Sequence, residues 1–152
     1  MIRKAQIKDI KAIHSLLQQY GNKGELLPRP LSKLYDHIRD FLVCLDGPDE
    51  TVVGCCALQI CWEDMAEIRS LAVHPQHQKR KIGAKLVEAA LADAQTFKVA
   101  KVFTLTYQPE FFKKHGFSQI EISELPLKIW GDCLACVKFP NCDEIALMKE
   151  LN

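Results

Sequence analysis

The sequence predicts an α/β fold in layers, a mixed and mostly antiparallel central sheet flanked by about four helices. Three observations carry that prediction. Three extended runs, 41–45, 51–62 and 65–73, follow one another with only short turns between them, as in an antiparallel meander. Ile82, Leu86, Val87, Ala90, Leu91, Ala94 and Phe97 then recur with a period of about 3.6 residues, the stripe of a helix laid on a sheet. A buried strand, Lys101–Thr106, comes directly after it, so helix and strand alternate in the second half. The 152 residues are expected to form a single domain over 1–152.

Taken in order, residues 1–6 are short enough for an edge strand. Ile10, Ile13, Leu16, Leu17 and Tyr20 place a first helix, with Asp9 in its first turn and Gly21 and Gly24 at its end. The prolines at 28 and 30 bias their predecessors away from helix, so 26–30 reads as a stiff extended connector. Leu31, Leu34, Tyr35 and Ile38 mark a second short helix. Residues 41–45 are a strand, 46–50 a turn cluster, and Thr51–Trp62 the returning arm of a hairpin. Met65–Val73 is the third strand, ended by Pro75. Its alternation puts Glu67, Arg69, Leu71 and Val73 on one face and Ile68, Ser70 and Ala72 on the other. Residues 109–115 fit a short helix stopped by Gly116, and 117–122 and 144–148 are closing strands.

Composition narrows the function classes. Twenty basic and 19 acidic side chains leave a formal net charge of +1, which argues against broad electrostatic capture of nucleic acid. No apolar run approaches the roughly 18 residues of a membrane helix, so no membrane partner is expected. The opening Met1-Ile2-Arg3-Lys4 leads into mixed charge, so no secretion signal is expected. Seven cysteines, an odd number, then point to a reducing cytoplasm and not to a disulfide scaffold. Cys44, Cys55, Cys56 and Cys61 lie in apolar runs and are expected to pack as small hydrophobes.

The most informative stretch runs through Ser70, Leu71, Ala72, Val73, His74 and Pro75 to Gln78, Lys79, Arg80, Lys81, Ile82, Gly83 and Ala84. A strand ends, a short polar loop follows, and a long amphipathic helix begins. The start of a helix offers free N–H groups and the positive end of its dipole, which suits a pyrophosphate. Lys79, Arg80 and Lys81 add three cations. The alternative is a solvated basic turn, and the charge cluster taken alone leans that way.

The order of residues tells more than the charge. Val73-His74-Pro75 followed by Gln78 and Gly83 resembles motif A of the GNAT family of N-acetyltransferases, Gln/Arg-x-x-Gly-x-Gly/Ala after a strand ending V-x-P. Phe111-Phe112-Lys113-Lys114-His115-Gly116-Phe117 resembles the family's aromatic helix ending in Gly-Phe. Three longer strings resemble the acetyltransferase domain of N-acetylglutamate synthases in its short, stand-alone form. They are Gly24-Glu25-Leu26-Leu27-Pro28-Arg29, Ala66-Glu67-Ile68-Arg69-Ser70-Leu71-Ala72-Val73 and Pro109-Glu110-Phe111-Phe112.

The resemblance implies a GNAT-like fold and acetyl-CoA as co-substrate. It implies that Leu71, Ala72 and Val73 hold the pantetheine arm and that Phe112 lies at the cofactor. Gln78 and the N–H groups of Lys79, Arg80, Lys81, Ile82, Gly83 and Ala84 would cradle the pyrophosphate. Lys81, and often Lys79, stands where the family has glycine. Phe112 stands where many members carry a tyrosine acid, and it has no proton to give.

Acetyl transfer needs a neutral amine, so a base must take the proton of the ammonium. Glu67 is the candidate, directly or through a water; the alternative is a solvated or salt-bridged strand residue. The Val73 N–H is the candidate donor to the oxyanion. The leaving thiol has a pKa of about 8.5, so Tyr107 or a water suffices as acid; a structural Tyr107 at the strand end is equally open. A dicarboxylate amino acid calls for cations, and an arginine fork meets a carboxylate with two bonds. Arg29, Arg69 and Lys128 are the candidates. An ion pair with Glu67 is the alternative for Arg69, and an ordinary surface position is the alternative for Lys128.

The leading expectation is acetylation of the α-amine of L-glutamate, the first step of arginine biosynthesis. The rivals are a GNAT acting on another small amine or a protein N-terminus, and a non-catalytic regulator that binds CoA or a metal. Family analogy adds a homodimer. Finally, Cys133-x-x-Cys136-x5-Cys142 has three readings. It is a zinc site completed by Asp132, His115 or a water, a redox pair at 133 and 136, or three packed thiols.

Overall fold

The computed structural model describes residues 1–22, 30–125 and 144–151. Its strands are β1 (Ile2–Lys4), β2 (Phe41–Asp46), β3 (Thr51–Trp62), β4 (Met65–Val73), β5 (Lys101–Thr106), β6 (Ser118–Ile120) and β7 (Ile145–Glu150). They form one sheet in the order β1-β2-β3-β4-β5-β7-β6, antiparallel throughout except for the parallel pair β4–β5. A parallel neighbour needs a crossover. Helix α3 (Ile82–Thr96) supplies it, and α1 (Ile10–Asn22), α2 (Leu31–Asp36) and α4 (Pro109–Lys113) complete the described helices.

The middle strands are apolar on both faces because helices cover both faces. One core gathers Leu42, Cys56, Leu58, Ala66 and Ile68 under Ile82, Leu86, Val87 and Ala90 of α3. The other packs Phe41, Val43, Cys55 and Ala57 against Ile10, Ile13 and Leu17 of α1 and Leu34 of α2. Helix α3 sits close to the sheet at Gly54. A Cβ there would meet Ile82 Cγ2 at 2.9 Å and Leu86 Cδ1 at 3.0 Å, so a larger residue would push the helix away.

Three expectations are corrected in detail. Phe97 is not part of the α3 stripe; it follows the last turn and is 60% exposed. Asp9 lies in a 3-10 turn, Ile7–Asp9, ahead of α1 and not in the helix itself. There its carboxylate receives the Arg3 fork at 2.7 and 3.2 Å and the Gln6 N–H at 2.7 Å. Burial pushes this carboxyl's pKa up, but Arg3 and Gln6 pull harder and leave it below the usual carboxylate value. The polar loop after β4 is a 3-10 turn, Pro75–Arg80. The 26–30 connector falls largely in 23–29, outside the described residues; its last member, Pro30, is extended.

The correction with most consequence lies in β4. Cys55 pairs with Ala72 but Ala57 pairs with Arg69, so three steps of β4 face two of β3. The extra residue is absorbed at Ser70, whose φ of +56° is left-handed, and the alternation of side chains inverts there. Leu71 and Val73 therefore pack toward α3 with Ala66 and Ile68, while Ala72 joins the α1–α2 core. Glu67 and Arg69, which alternate with Ile68, face the α1–α2 side. The four residues expected on one face are split between two.

Candidate active site

β4 and β5 pair only at Met65–Lys101, Ala66–Val102 and Glu67–Phe103. Beyond that point both strands continue but separate. Where the ladder stops, the Thr104 hydroxyl donates to the Ile68 carbonyl at 2.9 Å and pins the apex of the fork. The opening is a cleft of about 670 Å³, bordered by Arg69, Leu71, Val73, Gly83, Tyr107 and Phe111 among others. That volume suits a small-molecule site.

The open edge of β4 presents main chain to this cleft. The His74 N–H donates to the Val53 carbonyl at 2.7 Å. The Gly54–Val73 pair beside it is thus a non-hydrogen-bonded one, and Val73's own N–H and C=O turn away from β3 toward the cleft. The Tyr20 hydroxyl, from the last turns of α1, donates to that Val73 carbonyl. One of the Val73 backbone groups expected at the pantetheine arm thus already accepts from a side chain.

Between β4 and α3, the backbone of Gln78, Lys79 and Arg80 completes the 3-10 turn that starts at Pro75; their side chains are not described. His77 ties this turn to the end of β2 through Asp46, Nε2 to Oδ2 at 3.3 Å. Lys81 follows with a left-handed φ of +60° at the N-cap of α3, and its side chain makes no capping bond. Lysine has no acceptor to offer, so the first N–H groups of α3 are left for another partner. Gly83 is the second residue of α3. A Cβ there would lie 3.4 Å from Phe111 Cζ and 3.8 Å from Val73 Cγ2, ordinary contact distances that would fill the space between helix, strand and ring. Leu71, Ala72, Val73, Lys81, Gly83, Ala84 and Phe112, all expected at the cofactor, line the cleft. Ile82 is buried in the α3 core. Phe112 is largely a core residue too, edge-on to Phe111 and Phe117 with ring centroids at 5.1 and 5.4 Å.

On the other side, Glu67 is 7% exposed and Arg69 is half-buried at the cleft. Arg69 Nη1 lies 3.7 Å from Glu67 Oε1 and donates to Gln59 Oε1 at 3.2 Å. The ion pair weighed for Arg69 is present, but at a distance too long for a hydrogen bond. Tyr107 borders the cleft as expected. Arg29, Lys128, Asp132, Cys133, Cys136 and Cys142 lie outside the described residues. Among the described residues, no group of three or more His, Cys, Asp or Glu is placed to hold a metal ion.

Tyr20, Thr104, Phe111 and Gln59 were not picked out from sequence. Tyr20 looked like one more residue of the α1 stripe, and Thr104 and Gln59 like strand residues. Phe111 was visible only as part of the aromatic helix.

Residues 37–119 match the model of the acetyltransferase (GNAT) domain. The chain belongs to the GNAT family. An uncharacterized N-acetyltransferase of Chlorobaculum tepidum is 41% identical over 150 residues, 99% of this chain and 96% of that protein. An amino-acid acetyltransferase of Mycobacterium tuberculosis is 36% identical over 134 residues, 87% and 76% of the two chains. A Mycobacterium tuberculosis protein crystallised with CoA superposes with a TM-score of 0.87 at 30% identity, covering 100% of this chain and 99% of that one. N-acetylglutamate synthase of Neisseria gonorrhoeae, complexed with coenzyme A and N-acetyl-glutamate, gives 0.90 at 28% identity; this GNAT chain spans 35% of it. The protein is thus an acetyl-CoA-dependent N-acetyltransferase. No helix among its described residues is long and apolar enough to cross a membrane.

Proposed function

We propose that this GNAT enzyme acetylates the α-amine of an amino acid, L-glutamate foremost. The observation that carries the reading is the split of β4 at Ser70. Main chain for an acyl donor opens along the edge of β4 that faces β5, and a carboxylate beside a guanidinium stands on the α1–α2 side. The relatives that are amino-acid acetyltransferases and the N-acetylglutamate synthase likeness support it.

Acetyl-CoA brings the acyl group as an activated thioester. The residues present fit it: an open strand edge, a helix N-terminus without a side-chain cap, and a glycine that leaves open the space beside Phe111. Leu71, Ala72 and Val73 hold the arm by main chain. The N–H groups from Lys79 to Ala84, with the Lys81 charge, meet the phosphates. Glu67 takes the ammonium proton, through a water, because Arg69 and not Glu67 borders the cleft. The Val73 N–H, which faces the cleft, donates to the thioester oxygen as charge builds there. Tyr107 returns a proton to the departing sulfur. Arg69 meets the acceptor's carboxylate with its fork, joined by Arg29 and, more weakly, Lys128. Glutamate as acceptor would place the enzyme at the head of arginine biosynthesis.

The test is incubation with acetyl-CoA and a panel of amino acids and small amines, following release of free CoA thiol. Turnover with glutamate is expected. Turnover confined to amines without a carboxylate removes the amino-acid reading. Binding of CoA with no turnover on any amine makes the protein a regulator.

A further inference from the structure

We infer that Lys149 is a positioning residue for the acyl donor, because it holds the end of α4 at the cleft. The inference rests on the reading of that cleft as the seat of acetyl-CoA. Leu147 of β7 and Leu151 just beyond it are buried in the core under α3, and Lys149 falls midway between them on the same face. Lys149 is half-buried there, and its Nζ donates to the His115 carbonyl at 2.7 Å. Gly116, at a φ of +90°, leaves room for that reach. A Cβ at 116 would lie 2.6 Å from Lys149 Nζ and 3.4 Å from its Cε.

The peptide joining His115 to Gly116 is thereby held from both sides. Its N–H donates to the Lys113 carbonyl at 3.1 Å, and its C=O accepts from Lys149. A peptide is planar, so bonds on its two opposite groups fix its orientation and with it the residue before it. That residue, His115, borders the cleft, its ring centroid 5.1 Å from that of Phe111. Phe111 in turn faces the start of α3 at Gly83. A helix of five residues, such as α4, is too short to hold its own place, and Lys149 ties its C-terminal end to the sheet. An apolar side chain would pack as well between the two leucines, but would leave the carbonyl without this donor. Glu67 and Arg69 alternate with Ile68 of the α3-side core and face away from it. A shift of α4 therefore bears on the acyl donor and not on the amine.

Variants of the intact chain test this. Lys149→Met keeps the stem and removes the donor. It is expected to weaken CoA binding about fivefold in titration calorimetry and to raise KM for acetyl-CoA in step. Both kcat and the KM for the amine should stay within about twofold of wild type. Lys149→Arg keeps a donor and should bind CoA within about twofold of wild type. Lys149→Gln ends one bond short of the carbonyl, and takes the place of the methionine variant, with the same expectation, if that one does not fold. Unchanged CoA affinity without the donor, an equal loss with arginine, or a rise in both KM values overturns the inference. A wild-type chain that does not bind CoA overturns the cofactor reading and this inference together. Wild-type binding with unaltered variants overturns this inference alone.

Discussion

Glu67 and Tyr20 carry the sharpest predictions at the scale of single side chains. Glu67 is buried, 3.7 Å from the Arg69 guanidinium, on the strand that forms the cleft. Glu67→Gln should lower kcat/KM for glutamate at neutral pH by about 100-fold, the low end for loss of a general base. The deficit should shrink at high pH, where the acceptor amine deprotonates unaided; an unchanged neutral rate in steady-state kinetics sinks the assignment. Tyr20→Phe removes the donor to the Val73 carbonyl. It should cost about 1 kcal/mol and lower the Tm by about 3 °C, read by thermal unfolding. Glu67 and Arg69 were legible as a pair because the residues stand two apart on a strand. Tyr20 was not, because nothing in a helical stripe says which member reaches across to a strand end. Gln59 was not, because its partner comes from the neighbouring strand.

Whole elements were read well where the signal is local. Thr51–Trp62, Met65–Val73 and Lys101–Thr106 have the expected bounds because turn residues or proline mark their ends. What went unread was backbone conformation carried by ordinary side chains. Ser70 and Lys81 both sit at positive φ without being glycine, and serine there leaves no trace in the sequence. Lys81 stands where the family has glycine, and the left-handed φ is the reason glycine suits that place. At the other end of the chain, the Arg3–Asp9 pair joins β1 to the turn before α1. Asp9 has a folded-state pKa below its unfolded value of about 3.9. The stability it adds is present above that unfolded value and is lost as pH falls through the folded one. Asp9→Asn should therefore cost about 2 kcal/mol at pH near 7, and the gap from wild type should close below about pH 4. Urea unfolding at both pH values checks it.

For the molecule as a whole, covering the sheet on both faces buries Cys44, Cys55, Cys56 and Cys61. Burial, reinforced by Cys55, pushes the Cys56 thiol far up, so it holds its proton and is inert. In the folded enzyme a thiol reagent should titrate no more than the three cysteines at 133, 136 and 142, with all seven reacting on unfolding. More than three in the native state would contradict the packing. The burial itself was legible, since these cysteines lie in apolar runs. The cleft was not. It arises because β4 and β5, whose paired residues stand 36 apart in the chain, part company after three pairs, and no local pattern records where two strands diverge.

The extra residue at Ser70 has a consequence for how such an enzyme changes over time. Because the strand reverses its faces there, in the proposed mechanism the amine is met by side chains before the bulge and the acyl donor by main chain after it. Substitutions before the bulge can alter which amine is admitted, and substitutions after it can alter how CoA is held, each with little disturbance of the other. One misplaced serine thus makes β4 a boundary between two modules that selection can adjust independently.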